Sequence, residues 1–133
     1  MLMPVVLAGL LAALVAWPLN GLVMRAAGSR GIIWLAPLVE ETAKTGLALL
    51  LGAYIPFAHL VFGLVEALWD AAGPGRGRYA GMIGLTGHTL FGYGTFWLCR
   101  AGVPVWASAG VVYLIHASWN ALVIYLSRRS VHP

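Results

Sequence analysis

Long apolar runs constrain this chain more than any other feature. About five stretches of roughly 18 to 24 residues carry almost no charge, and each is long enough to cross a membrane as a helix. They cover residues 1–24, 32–53, 55–72, 79–98 and 103–126. The apolar residues do not alternate with polar ones, as they would in a β-barrel. We therefore expect one all-α domain over residues 1–133, a membrane helix bundle of about five transmembrane helices.

Composition supports this class. Hydrophobic residues make up 61% of the chain and charged residues 9%, whereas a soluble domain carries about 25% charged residues. The net charge of +4 does not indicate nucleic-acid binding, because the basic residues are scattered singly and in pairs between the apolar runs. Cys99 has no cysteine partner, so an internal disulfide is excluded.

The arginines predict how the helices are oriented. Turns are expected at Gly28–Ser29 and at residues 52–56, 73–75 and 102–104. With these turns, six arginines fall on one side of the bundle and only Arg100 falls on the other. The six are Arg25, Arg30, Arg76, Arg78, Arg128 and Arg129. The positive-inside rule then places the C-terminus in the cytoplasm and the N-terminus outside. The first apolar run has no basic residue before it and is followed by arginines, whereas a signal peptide begins with basic residues. We therefore interpret this run as a retained helix and not as a cleaved signal peptide.

All the acidic residues lie within or close to the apolar runs. They are Glu40, Glu41, Glu66 and Asp70. An ionisable side chain in the bilayer costs roughly 2.5 to 3.5 kcal/mol on insertion scales and indicates function by default. Lys44 follows Glu40 by one helical turn, close enough to pair with it, and is taken as a supporting residue of the site. A structural ion cluster of Lys44 with the two glutamates is the simpler alternative.

Depth along the predicted helices brings these residues together with two histidines. At about 1.5 Å per residue, Glu40 and Glu41 lie roughly 12 to 14 Å from the cytoplasmic end of their helix. By the same count, Glu66 lies roughly 9 Å, His88 roughly 13 Å and His116 roughly 15 Å from that end. We therefore predict that four helices converge on one site in the cytoplasmic half of the membrane.

Helical spacing adds two more polar residues to this site, and position along the chain excludes two histidines from it. Asn120 lies one turn after His116 and is included. Asp70 lies one turn after Glu66 and is taken as a supporting residue, with an interfacial position as the alternative. His59 is excluded because it falls near the outer face, and His132 because it lies in the C-terminal tail.

Two mechanisms of water activation are open at this point. Glu66, His88 and His116 have the ligand types of a zinc site, in which another glutamate would act as general base. Without metal, a glutamate would remove the proton from water, while His116 and Asn120 would stabilise an oxyanion. Both mechanisms lead to hydrolysis of a carbonyl compound inside the membrane.

Four motifs resemble those of the PrsW intramembrane proteases. Glu40-Glu41-Thr42-Ala43-Lys44 resembles the EExxK motif, and Phe62-Gly63-Leu64-Val65-Glu66 resembles the second, glutamate-bearing motif. Gly87-His88-Thr89 with Gly92-Tyr93-Gly94 resembles the third, and His116-Ala117-Ser118-Trp119-Asn120 resembles the final HxxxN/D motif. The same order marks the wider superfamily of CAAX prenyl proteases and bacteriocin-processing enzymes.

This resemblance implies an intramembrane endopeptidase, often described as a metalloprotease, that cleaves membrane-anchored proteins such as anti-sigma factors. It implies site residues at Glu40, Glu41, Glu66, His88 and His116. The motif-bearing core covers about residues 32–126. Members of the family are commonly longer, so a homo-oligomer that shields the cavity is one expectation.

Two functions from other classes remain alternatives. A proton- or metal-handling transporter would use the same buried carboxylates and histidines, although the chain shows no inverted repeat. A non-catalytic scaffold of the same fold would bind transmembrane helices. The excess of arginine over lysine and the abundance of glycine and alanine indicate a GC-rich prokaryote, and hence its cytoplasmic membrane.

Overall fold

The computed structural model describes residues 2–73 and 77–129, apart from the side chain of Arg128. Within these ranges the chain forms five α-helices and no strand. They are α1 (Leu2–Arg30), α2 (Ala36–Leu50), α3 (Ile55–Ala72), α4 (Gly77–Arg100) and α5 (Val105–Arg129), with a π-helical segment, Gly31–Leu35, immediately before α2. Each predicted apolar run lies on a helix, which confirms the all-α prediction. Pro74, Gly75, Arg76 and His132 lie outside the described residues.

In the described part of the chain, three helical stretches are long and apolar enough to cross a membrane. They are Leu2–Leu50, Ile55–Ala72 and Val105–Ser127. The first is 49 residues long, which at 1.5 Å per residue would extend roughly 74 Å if it were straight. It is not straight, because Gly28 has non-helical backbone angles (φ 55°, ψ −136°) and α2 packs back against α1. α4 has 24 residues but is less apolar, and it is not among the three.

Small residues fill the helix interfaces and large apolar residues cover the outside. The buried residues of α1 include Ala8, Ala12 and Ala16, which pack against α2 and α3. Large side chains such as Leu14 (66% exposed) and Leu50 (78% exposed) point outward. Membrane helices associate through small residues because lipid is as apolar as leucine and only close packing favours contact. The surface of this bundle is therefore suited to lipid.

Two glycines let α3 and α4 approach closely, and this approach positions the polar residues. A Cβ atom added at Gly92 would lie 2.7 Å from Cβ of His59, and one added at Gly63 would lie 3.1 Å from Cβ of His88. Side chains at these positions would push the helices apart. Glycine therefore sets the spacing that brings His88 of α4 against Glu66 of α3.

Glycine also ends α2 and α4, at the predicted turns. Gly52 (φ 61°) and Gly102 (φ 90°) adopt left-handed backbone conformations. The following amides donate back to the helices, Ala53 N to Ala48 O at 2.8 Å and Val103 N to Leu98 O at 3.0 Å. This is the Schellman arrangement, which satisfies the last carbonyls of a helix. Both turns lie at the same end of the bundle, opposite the end that carries Arg25, Arg30 and Arg78.

Candidate active site

Three helices contribute the buried polar cluster at the centre of the bundle. Glu40, Glu41 and Lys44 come from α2, His88 from α4 and His116 from α5, and each of them is at most 5% exposed. On α2 the spacing i, i+1, i+4 places the lysine one turn beyond the two carboxylates. These five residues are all members of the site predicted from the sequence, and the fold brings them together.

Lys44 occupies the middle of the cluster. Its Nζ atom lies 2.7 Å from Oε1 of Glu41, 2.9 Å from Nδ1 of His88 and 4.0 Å from Oε2 of Glu40. It also lies 4.6 Å from the ring centroid of Phe62, a favourable position for a cation over an aromatic face. The ammonium group therefore supplies a positive charge directly beside the two buried carboxylates.

The lysine determines which nitrogen of His88 carries the proton. An ammonium group can only donate, so Nδ1 of His88 accepts from Lys44. The proton of the neutral ring is then on Nε2, which donates to Oε2 of Glu66. The Glu66 side chain is 40% exposed, so this chain of hydrogen bonds begins at a solvent-accessible carboxylate and ends in the buried interior.

His116 has a free lone pair that faces Glu40. Its Nδ1 atom lies 2.9 Å from Oε1 of Glu41, and since a carboxylate only accepts, Nδ1 carries the proton and donates. Nε2 is then an acceptor, and it lies 3.8 Å from Oε2 of Glu40, which is an acceptor as well. Two acceptors facing each other inside a protein call for a hydrogen donor or a cation between them.

Asn20 of α1 holds the other oxygen of Glu40. Its Nδ2 group donates to Oε1 of Glu40 at 2.7 Å. Oε2 of Glu40 is buried and, among the described residues, has no hydrogen-bond partner. The sequence prediction did not include Asn20, which lies outside the motif-bearing core. The available signal was an amide side chain within the apolar first helix.

A cavity of about 730 Å³ opens beside these groups. All five helices and the π-helical segment contribute to its wall. Six of the predicted site residues line it, namely Glu40, Glu66, Asp70, His88, His116 and Asn120. Trp17, Tyr79 and Trp119 add aromatic surface to the wall. The volume lies within the usual range for ligand pockets, about 300 to 1,000 Å³.

Asn120 connects α5 to the start of α2. Its Nδ2 group donates to the carbonyl oxygen of Ile32 at 3.0 Å. In the π-helical segment that carbonyl would receive the amide of Pro37, but proline has no N–H, and the amide of Ala36 bonds instead to Gly31 O. Asn120 therefore satisfies a carbonyl that the local sequence leaves unpaired, and it keeps a second N–H on the same side-chain nitrogen.

Two residues at the margins of the prediction lie in different environments. Asp70 is half-buried on the cavity wall, one turn beyond Glu66. His59, which the depth count excluded, is fully buried with Nδ1 3.7 Å from Oε2 of Glu41. Counting along a helix locates only the Cα atoms, whereas glutamate and histidine carry their polar atoms several ångströms away from the backbone. Both ring nitrogens of His59 lack a hydrogen-bond partner among the described residues.

The donor set of a metal site is present, but one of its members, His88, is already engaged at both nitrogens. Glu40, His88 and His116 each offer a ligand atom, all within 4.8 Å of one another, and carboxylate and imidazole are ligands that zinc accepts. The set contains Glu40 where the sequence prediction had Glu66. Both nitrogens of His88 are hydrogen-bonded, one of them to the cationic Lys44. In this arrangement the residues do not fit a zinc ion, because His88 would first have to leave Lys44 or Glu66.

Comparison with known proteins gives no further guide to the site. Searches of protein families, of curated proteins and of solved structures found no match to this chain. The similarity to PrsW proteases therefore stays a prediction from four motifs, and the site has to be interpreted from its own geometry.

Proposed function

We propose that this protein is an intramembrane endopeptidase that activates water between Glu40 and His116. The observation that carries the proposal is the pair of facing acceptors, Oε2 of Glu40 and Nε2 of His116, 3.8 Å apart on the wall of a cavity. A water oxygen about 2.8 Å from each can donate one hydrogen to each, because that is the normal length of such bonds. Its lone pairs then remain free to attack.

The reaction requires no group beyond those of the chain, water and a peptide. Glu40 takes a proton from the water as the oxygen forms a bond to the peptide carbonyl carbon. The second N–H of Asn120 is the candidate donor to the oxyanion. The tetrahedral intermediate then breaks its C–N bond, and the proton held by Glu40 passes to the leaving amine. Lys44 and Glu41 keep the two histidines in the required tautomers.

The proposal includes an arrangement of the protein in the membrane. We infer five membrane-spanning helices, with the N-terminus outside and the C-terminus in the cytoplasm of a prokaryotic cell. Arg25, Arg30 and Arg78 lie at the end of the bundle nearest the cavity, whose wall includes Met24 and Tyr79, and basic residues favour the cytoplasmic side. The substrate would be a membrane-anchored protein, similar to an anti-sigma factor, cleaved in the cytoplasmic half of the bilayer.

Reconstitution tests this proposal. The purified protein would be placed in liposomes with a panel of epitope-tagged single-pass membrane proteins of the anti-sigma-factor type. We expect wild type to cleave at least one of them and Glu40→Gln to cleave none, since the amide keeps the shape and removes the base. Leu38→Ala changes an exposed residue on the same helix and should cleave normally. Cleavage that survives Glu40→Gln would overturn the assignment of the base.

A proton-handling transporter is the second candidate, and one observation favours it. Hydrogen bonds link Glu66, His88, Lys44, Glu41 and His116 in an unbroken series, and such chains carry protons in pumps. Proton flux into liposomes with a pH-sensitive dye separates the two functions. Flux that Glu66→Gln abolishes, without cleavage of any substrate in the panel, would favour transport.

A further inference from the structure

α1 lies outside the motif-bearing core, yet it supplies the closest partner of the proposed base. Asn20 donates from Nδ2 to Oε1 of Glu40 at 2.7 Å. The orientation of the amide follows from chemistry, because a carboxylate accepts and only the NH₂ end of asparagine can donate to it. The bond joins residues 20 positions apart, across the reversal at Gly28.

This hydrogen bond determines which oxygen of Glu40 remains free to accept a hydrogen from water. The carboxylate has two oxygens, and Asn20 engages Oε1 alone. Oε2 is left without a partner among the described residues and lies 3.8 Å from Nε2 of His116. Lys44, the nearest cation, lies 4.0 Å from Oε2, beyond hydrogen-bond distance. Without Asn20, nothing else in the described structure would hold the carboxylate in this rotation.

The amide oxygen of Asn20 indicates that this side chain is not present chiefly to fill space between helices. Its Oδ1 atom is buried and has no hydrogen-bond partner in the described part of the chain. A buried acceptor left unpaired costs about 1 to 3 kcal/mol. A leucine at this position, like its neighbours Leu19 and Leu22, would avoid that cost, so we attribute the amide to its bond with Glu40.

We propose that Asn20 is a positioning residue that orients the Glu40 carboxylate so that Oε2 faces His116 and the cavity. This inference rests on the proposed function and extends it, because it makes α1 part of the active unit. Hydrogen-bond partners that orient metal ligands change activity by about 10- to 100-fold when they are removed, and we expect a loss of the same order for the partner that orients Glu40. The loss should appear in kcat and leave KM unchanged, because orientation of the base affects the chemical step and not the binding of substrate.

Three variants in the liposome cleavage assay test the proposal. Asn20→Ala removes the donor, and Asn20→Asp keeps the shape but replaces the NH₂ group with an acceptor. Leu19→Ala is the matched control, since Leu19 is the neighbouring residue of α1 and is 41% exposed. We expect kcat to fall about 10- to 100-fold in both Asn20 variants and to stay at the wild-type value in Leu19→Ala. Thermal unfolding in detergent is measured alongside.

The outcomes separate this inference from the proposed function. If wild type cleaves and Asn20→Asp keeps its kcat, the hydrogen bond to Glu40 has no positioning role and the inference is wrong. If Asn20→Ala raises KM at unchanged kcat, or loses activity only in proportion to folded protein, Asn20 serves binding or stability instead. If wild type cleaves no substrate of the panel while Glu66-dependent flux is present, it is the proposed function that has failed.

Discussion

Glu40 and Glu41 are consecutive residues with the same side chain, and the bundle gives them opposite surroundings. Glu41 accepts from both Lys44 and His116 on Oε1, its Oε2 lies 3.7 Å from Nδ1 of His59 without a hydrogen bond, and it does not line the cavity. Glu40 has one oxygen fixed by Asn20 and the other unpaired beside the cavity. One residue of helix is a rotation of about 100°. That rotation separates a carboxylate that holds the site together from one that is free to react.

The largest expected effect comes from replacing each glutamate in turn. Glu40→Gln should reduce kcat by roughly 10² to 10⁴-fold, the usual contribution of a general base, with little change in thermal unfolding. Glu41→Gln should lower both activity and stability, because Lys44 loses the carboxylate 2.7 Å away and a buried charge without its partner costs about 3 to 5 kcal/mol. Cleavage rates and unfolding in detergent, measured on both variants, check the comparison. Equal stability of the two variants would contradict it.

Replacement of Lys44, the cation beside Glu41, tests the same comparison of the two glutamates. Lys44→Met should destabilise the protein by about 3 to 5 kcal/mol, because Glu41 would keep its charge in the interior without the ammonium. Thr42→Met is the matched control, since it makes the same side chain at an exposed position of the same helix. Free energies of unfolding in detergent measure both. A Lys44→Met protein as stable as the control would mean that the ion pair with Glu41 contributes nothing to folding.

Much of this arrangement follows from simple patterns in the sequence. Run length and composition predict the helices, and the depth count predicts that Glu40, Glu41, His88 and His116 share one level. Asn20 and His59 were missed, because helix-end counting ignores the reach of side chains and a motif search begins only at α2. The sequence also could not distinguish Glu40 from Glu66 as the carboxylate beside His116. That choice depends on how α2, α3 and α5 are rotated against one another.

A smaller effect is expected at Asn120, on the helix opposite Glu40. Asn120→Ala removes the donor to Ile32 O and leaves a carbonyl that Pro37 cannot satisfy, at a cost of about 1 to 3 kcal/mol in the free energy of unfolding. Ser118→Ala, at an exposed position of α5 whose hydroxyl donates to Leu114 O of its own helix, should stay within about 0.5 kcal/mol of wild type. Unfolding in detergent compares them. Equal stability of the two variants would show that the carbonyl finds another donor.

The smallest expected effect concerns metal, and it tests whether Glu40 faces His116 across water or across an ion. Lys44 is 2.9 Å from Nδ1 of His88, and Nε2 of the same ring is bonded to Glu66. The ammonium group of Lys44 therefore already occupies the lone pair of Nδ1, which would have to be free for His88 to bind zinc through that atom. We therefore expect cleavage to be unchanged after dialysis against a strong chelator, and purified active protein to contain zinc well below one equivalent. Activity lost on chelation and restored by zinc would instead require His88 to release Lys44, and Glu40 would then act as a ligand and not as the base. His88→Ala provides the control, because a bound ion would be lost from that variant, whereas zinc held elsewhere on the protein would remain.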